Sequence, residues 1–136
     1  MIVVADSSPL HYLILLDQAD LLRQLYGDVL IPSAVVAELS ASGAPPKVRD
    51  WLGQNPSWLK IPHVAPDQVQ TISPALDLGE REAIALAQVV RANLLLMDDL
   101  AGREAARRLN LLVTGTLGVL RHGRRKGVDR CSTSDF

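Results

Sequence analysis

Cysteine is almost missing from this 136-residue chain: Cys131 stands alone, which excludes an internal disulfide and any thiolate zinc cage. Aromatic residues amount to 4%, too few for a broad base-stacking surface. No apolar run approaches the roughly 20 residues of a membrane span, so no membrane partner is expected. The opening run has no basic leader and meets an acid at Asp6, unlike a signal peptide, and a cytoplasmic protein is the simplest expectation. His11, His63 and His122 lack ligand spacing and read as structural or surface residues. There is no P-loop.

What is present is apolar and short-ranged. Hydrophobic residues make up 48% and mean hydropathy is +0.14, in keeping with a buried sheet covered by helices. The length fits one domain, placed at residues 1–130, with 131–136 as an aperiodic tail expected to fray. Net charge is −1 but unevenly spread: residues 1–102 hold 6 basic against 12 acidic side chains, and residues 103–136 hold 8 against 3. An acidic body with a basic C-terminal segment would bring phosphates near an acidic site, although a solvated basic helix explains the charges alone equally well.

Periodicity and turn residues predict strands alternating with helices. The strands are Ile2–Ala5, Val29–Ile31, an edge strand Leu59–Ile61, 94–97 and 111–113. Helices are expected from Ser8 (as N-cap) to Leu16, from Asp20 to Tyr26, from Ser33 (as cap) through Leu39, and around Val48 to Leu52. After a loop-like or weakly helical stretch from Pro62 to Asp77 come helices from Gly79 to Arg91, from 101 to 109 and from about Leu117. The centre of the fifth, Ala83-Ile84-Ala85-Leu86-Ala87, is apolar on nearly every face and belongs inside. The fold class that follows is α/β, three-layer α/β/α with a central, mainly parallel sheet.

Four acidic sites fall where such a sheet brings them together. Asp6 and Asp98-Asp99 follow strands, where ligands collect in open α/β sheets. Glu80 shares a helical face with Ala83, Ile84 and Ala87 and so points inward, and Glu38 adjoins an apolar stripe. Each has an innocent alternative: Asp6 and Asp99 as helix N-caps, Glu80 and Glu82 as first-turn acids, Glu38 as a surface residue. Together they ask for neutralisation that no nearby Lys or Arg supplies. Hard oxygen ligands suit Mg²⁺ or Mn²⁺.

Asp6-Ser7-Ser8-Pro9-Leu10, Glu38 in Val-Val-Ala-Glu-Leu, Gly79-Glu80-Arg81-Glu82-Ala83-Ile84-Ala85-Leu86, Leu96-Met97-Asp98-Asp99 and Gly115-Thr116-Leu117-Gly118-Val119-Leu120 resemble the ordered motifs of the PIN-domain nucleases. The resemblance covers residues 2 to about 127, and many members of the wider family are VapC-type toxins. It implies that Asp6, Glu38, Glu80 and Asp99 are catalytic metal-site carboxylates, with Asp98 a further metal ligand and Ser7 and Glu82 auxiliaries. The activity implied is Mg²⁺- or Mn²⁺-dependent hydrolysis of RNA phosphodiesters. An antitoxin and a homodimer are implied partners. Departures from the wider pattern leave the register of Glu80/Glu82 and of Asp98/Asp99 open, and Glu stands where the third acid is commonly Asp. Arg121, Arg124, Arg125 and Lys126 are the candidate RNA-phosphate contacts.

Two other classes compete. A PIN-like module without catalysis would bind RNA or a protein and cleave nothing. A phosphatase or receiver-like domain would want a Lys on a late strand, and 111–113 runs into Thr114-Gly115 instead.

Overall fold

The strands are short and almost wholly apolar because they are covered on both faces. The computed structural model describes residues 1–127. Its five strands are β1 (Val3–Ala5), β2 (Val29–Leu30), β3 (Leu59–Lys60), β4 (Leu94–Leu96) and β5 (Val113–Thr114), all parallel, in the order β3-β2-β1-β4-β5.

Alternation along each strand sorts the side chains into two cores. Val3, Ala5, Leu94 and Leu96 pack against α1 (Ser7–Leu15), α2 (Asp20–Tyr26), α3 (Ser33–Ser40), α4 (Pro46–Gly53) and α8 (Thr116–Lys126). Val4, Leu95 and Met97 face α5 (Pro66–Gln70), α6 (Leu78–Val89) and α7 (Leu100–Arg108). This is the three-layer arrangement, and its doubly covered strands read as unbroken apolar runs. Fully buried leucines such as Leu10, Leu13, Leu95 and Leu96 each contribute on the order of 2–3 kcal/mol of burial. Among the described residues, no helix is long and apolar enough to cross a membrane.

The topology creates one crevice. From β1 the chain moves outward to β2 and β3, then returns to lay β4 on the other side of β1. The connections leaving β1 and β4 therefore diverge, opening the sheet's carboxyl end between them. Asp6 closes β1, its N–H donating to Leu96 O at 2.9 Å. Ala5 pairs with Leu96, so Asp6 lies level with Met97, and Asp98 and Asp99 follow one and two residues beyond.

Three local expectations change. The last strand is Val113–Thr114 rather than 111–113, because Asn110 adopts a left-handed φ of 64° to end α7 and Leu111 N–H still donates to Ala106 O at 3.1 Å. Ser8 and Ser33 are not side-chain caps: Asp6 and Pro32 occupy the N-cap positions of α1 and α3. The stretch after Pro62 contains α5, opened by Pro66 at its first turn. The fraying expected of residues 131–136 lies outside the described residues.

Candidate functional site

Asp6 is the centre of the crevice. It stands between β1 and α1 with extended backbone, and although it holds the N-cap position its side chain caps nothing. The residue is 3% exposed, and its Oδ1 is buried without a hydrogen-bond partner. An unpaired charged oxygen in that setting is costly. Burial accordingly pushes the Asp6 carboxyl up to about 7; the Ser7 backbone N–H opposes this, and the negative charges of Glu80, Glu38 and Asp77 add to it.

Glu38, in the last turn of α3, accepts a hydrogen bond on Oε2 from Ser7 Oγ at 3.0 Å. Its other oxygen lies against α6 at a place only glycine leaves open. A Cβ on Gly79 would collide with Glu38 Oε1, and Asp6 Oδ1 would lie 3.6 Å from it. Gly79 is thus the gap through which two carboxylates approach each other. Burial raises the Glu38 carboxyl too, opposed by the Ser7 hydroxyl and reinforced by Asp77.

The third wall is the start of α6. Asp77 and Glu80 form a capping box, with Glu80 N–H donating to Asp77 Oδ1 at 2.8 Å and Asp77 N–H to Glu80 Oε1 at 3.2 Å. Glu80 is raised by burial; its bond to the Asp77 backbone opposes that, and the charges of Asp77, Asp99 and Glu38 add to it. Asp99 completes the ring as N-cap of α7, its Oδ2 accepting from Gly102 N–H at 2.9 Å.

Asp6, Glu38 and Glu80 therefore share one electrostatic neighbourhood, to which Asp99 is tied through Glu80, and Asp77, which was not singled out from the sequence, belongs to it. The signal for Asp77 was the spacing Asp77-x-x-Glu80 before an apolar run. The ion pairs Arg23–Asp20 and Lys47–Asp17 involve none of these acids. Among the described residues, however, no three His, Cys, Asp or Glu side chains are arranged to hold a metal ion. Glu38, Glu80 and Asp99 each give one oxygen to a hydroxyl or a backbone N–H at a helix start.

The doublet partners turn elsewhere. Asp98 accepts from Thr116 N–H at 2.7 Å and Thr116 Oγ1 at 2.6 Å, fixing the start of α8 to the end of β4. Gly115 permits this approach, since a Cβ there would sit 2.5 Å from Asp98 Oδ1. Glu82 accepts from Ala34 N–H at 3.0 Å and Ser33 Oγ at 3.4 Å, capping α3 from a different helix. That is why Ser33 need not cap its own helix.

The basic residues are spread along α8. Arg121 lines a groove that also contains Asp98 and Arg103. Arg124, Arg125 and Lys126 are exposed in the last turn, about 12–15 Å further along the helix axis than Thr116.

The donor set fits a hard divalent cation. Its oxygens are carboxylates, Asp6 Oδ1 has no hydrogen-bond partner among the described residues, and the charges acting on Asp6 and Glu80 are all negative.

A family model described as a PIN domain matches residues 2–131. Among solved structures, a PilT N-terminus domain protein from the hyperthermophilic archaeon Sulfolobus solfataricus P2 is similar, with a TM-score of 0.60 and 17% identity over 90% of this chain and 92% of that one. At that identity the likeness is one of fold. No curated protein matches the chain.

Proposed function

The chain belongs to the PIN-domain family, and on that premise we propose that it is a metal-dependent ribonuclease hydrolysing RNA phosphodiester bonds. Domains of this family are generally nucleases that use divalent metals. The observation that carries the proposal is Asp6 Oδ1, buried, unbonded and surrounded by the charges of Glu38, Glu80 and Asp77.

Asp6, Glu38, Glu80 and Asp99 are assigned as the residues that hold Mg²⁺ or Mn²⁺. When bound, such an ion supplies Lewis-acid polarisation of the phosphate and a water of lowered pKa. The protein's own part is positional. Ser7 Oγ fixes Glu38 by one oxygen, and the capping bonds fix Glu80 and Asp99 likewise, so the opposite oxygen of each is the one assigned to the ion. Asp98 and Glu82 are assigned to holding α8 and α3 in place. Arg121 is assigned to meet a phosphate in the groove that Asp98 and Arg103 also line, with Arg124, Arg125 and Lys126 extending the contact along α8. Cytoplasmic location, homodimerisation and a place in a toxin–antitoxin pair belong to the same proposal through the family resemblance alone.

The test is cleavage of labelled single-stranded RNA with Mg²⁺ or Mn²⁺ by wild type, by Asp6→Asn, and by wild type with EDTA. Cleavage by wild type alone supports the proposal. If ion binding, followed by calorimetry, is missing, the metal assignment fails.

One observation favours a second reading, a PIN-like module that binds RNA or a protein without cutting: the absence, among the described residues, of a preformed three-ligand group. RNA binding that persists in EDTA, together with no cleavage under any metal, would select it.

A further inference from the structure

The chain's aromatic residues are few, and all but one of those described are packed away. Trp51 and Trp58 are half-buried against each other, with ring centroids 5.7 Å apart, and Tyr26 is buried beside His122, its OH 3.3 Å from Nδ1. Tyr12 is 51% exposed. Its ring is braced by His11 in an edge-on contact at 5.4 Å and 81°.

Its position is more telling than its exposure. A small cavity of about 220 Å³ beside the carboxylates is lined by Ser7, Ser8, His11, Tyr12 and Glu38. Tyr12 also lines a larger groove of about 690 Å³. One wall of that groove is apolar, formed by Leu15, Leu16 and Leu117, while Arg103 and Arg121 supply its charge. Arg103 Nε is buried without a hydrogen-bond partner. Asp98 also lines the groove, but its oxygens are engaged by Thr116. An apolar protein segment seated here would leave both guanidinium groups unanswered. A single RNA strand answers both surfaces, with base faces on the ring and the leucines and phosphate on the arginines.

We propose that Tyr12, braced by His11, is the stacking platform for a base of the single-stranded RNA beside the cleaved bond, and that the groove beyond it carries the strand past Arg103 and Arg121. The assignment rests on the ribonuclease reading for its choice of ligand. Tyr12 lies five residues along α1 from Ser7, about 7.5 Å in axial rise, so the platform sits within reach of a nucleotide next to the carboxylates. Stacking of this kind tolerates any base and sets where the strand is held rather than which sequence is cut.

The experiment is anisotropy of a short fluorescein-labelled oligoadenylate with the whole chain in EDTA, so that no cleavage is needed to read it. Tyr12→Ala is expected to weaken binding about tenfold, and Tyr12→Phe to keep it. Arg121→Ala is expected to weaken binding and reduce the salt dependence by about one phosphate contact. Melting curves check that each variant folds, and Tyr12→Phe keeps the test informative if Tyr12→Ala does not. Unchanged binding by Tyr12→Ala overturns the proposal. So does a Tyr12→Ala protein that binds RNA normally but changes from dimer to monomer on sedimentation, which would give the groove to a second copy. If wild type cleaves with metal while Tyr12→Ala binds and cuts as wild type does, the platform alone fails. If binding depends on Tyr12 and nothing cleaves, the nuclease reading alone fails. Wild type that binds no single-stranded RNA sinks both.

Discussion

β1 and β4 lie side by side and each is followed by aspartate, directly at Asp6 and after Met97 at Asp98-Asp99, yet the two ends do opposite things. After β4, Asp98 takes two hydrogen bonds from Thr116, and Asp99 takes one from Gly102. Each is answered by a helix N-terminus, where a carboxylate is favoured. After β1, Asp6 also stands at a helix start, but its side chain leaves the helix uncapped and one oxygen buried without a donor. A carboxylate engaged through both oxygens, as Asp98 is, holds the fold together, whereas Asp99 gives only Oδ2 to its helix. A carboxylate that the fold leaves unsatisfied in a crowd of like charges stores a cost that an external cation removes. The contrast separates structural from chemical acids where residue type alone does not.

The largest expected effect comes from removing the unsatisfied charge. Asp6→Asn should lower metal-dependent RNA cleavage by more than about 100-fold, a loss beyond that typical of residues merely supporting a metal's ligands. Titration of Mn²⁺ should show weaker binding in parallel. Full activity in this variant would break the comparison at its root.

The same charge gives the metal-free protein a pH dependence of defined sign. The Asp6 carboxyl is raised from 3.8 to about 7 on folding, so the folded state holds its proton more tightly than the unfolded chain. Stability from this group is then present in full below about pH 4, is lost as pH rises towards 7, and stays lost above that. The difference is on the order of 2–4 kcal/mol. Urea melts in EDTA between pH 4 and 8 should show it, Asp6→Asn should reduce it to the part of the same sign that Glu38 and Glu80 contribute, and Mg²⁺ should oppose it at neutral pH. A rise in stability over that window would mean that Asp6 is satisfied after all. By contrast, Asp98→Ala should cost about 2–3 kcal/mol in the same melts through loss of the Thr116 bonds, whether or not metal is added.

Much of this contrast was legible in the residues before it was legible in space. The apolar runs and their acid stops located β1 and β4, and the strand–helix alternation led to the parallel sheet because doubly covered strands have few other solutions. Glu38, Glu80 and Asp99 were visible as acids next to apolar stripes and strand ends. What the residues did not reveal is which oxygen goes where. Glu82 and Asp98 form bonds with Ala34 and Thr116, 48 and 18 residues away, and local pattern is silent about partners at that range. Asp77 escapes because a helix read as starting at Gly79 begins one residue late, which takes Asp77 out of the N-cap position of the capping box. The last strand starts two residues later and ends one residue later than its apolar run suggests, because the end of α7 depends on a left-handed Asn110 and not on hydrophobicity.

The smallest expected effect is the sharpest test of the distinction, because it lies within one turn of one helix. Glu80 and Glu82 are two residues apart on α6, so their side chains diverge around the helix. Glu80 turns towards the Asp6 neighbourhood and Glu82 towards the start of α3. Glu80→Gln keeps an acceptor for Asp77 N–H but removes a charge from the neighbourhood, and should weaken Mn²⁺ binding about tenfold. Glu82→Gln likewise keeps an acceptor for Ala34 N–H and loses only the charge at the start of α3, which should cost about 0.5–1 kcal/mol of stability and leave Mn²⁺ binding within about twofold. If Glu82→Gln weakened the ion as much as Glu80→Gln does, the bond to α3 would not be its main role, and the division between acids that hold helices and acids that hold a cation would fail inside α6.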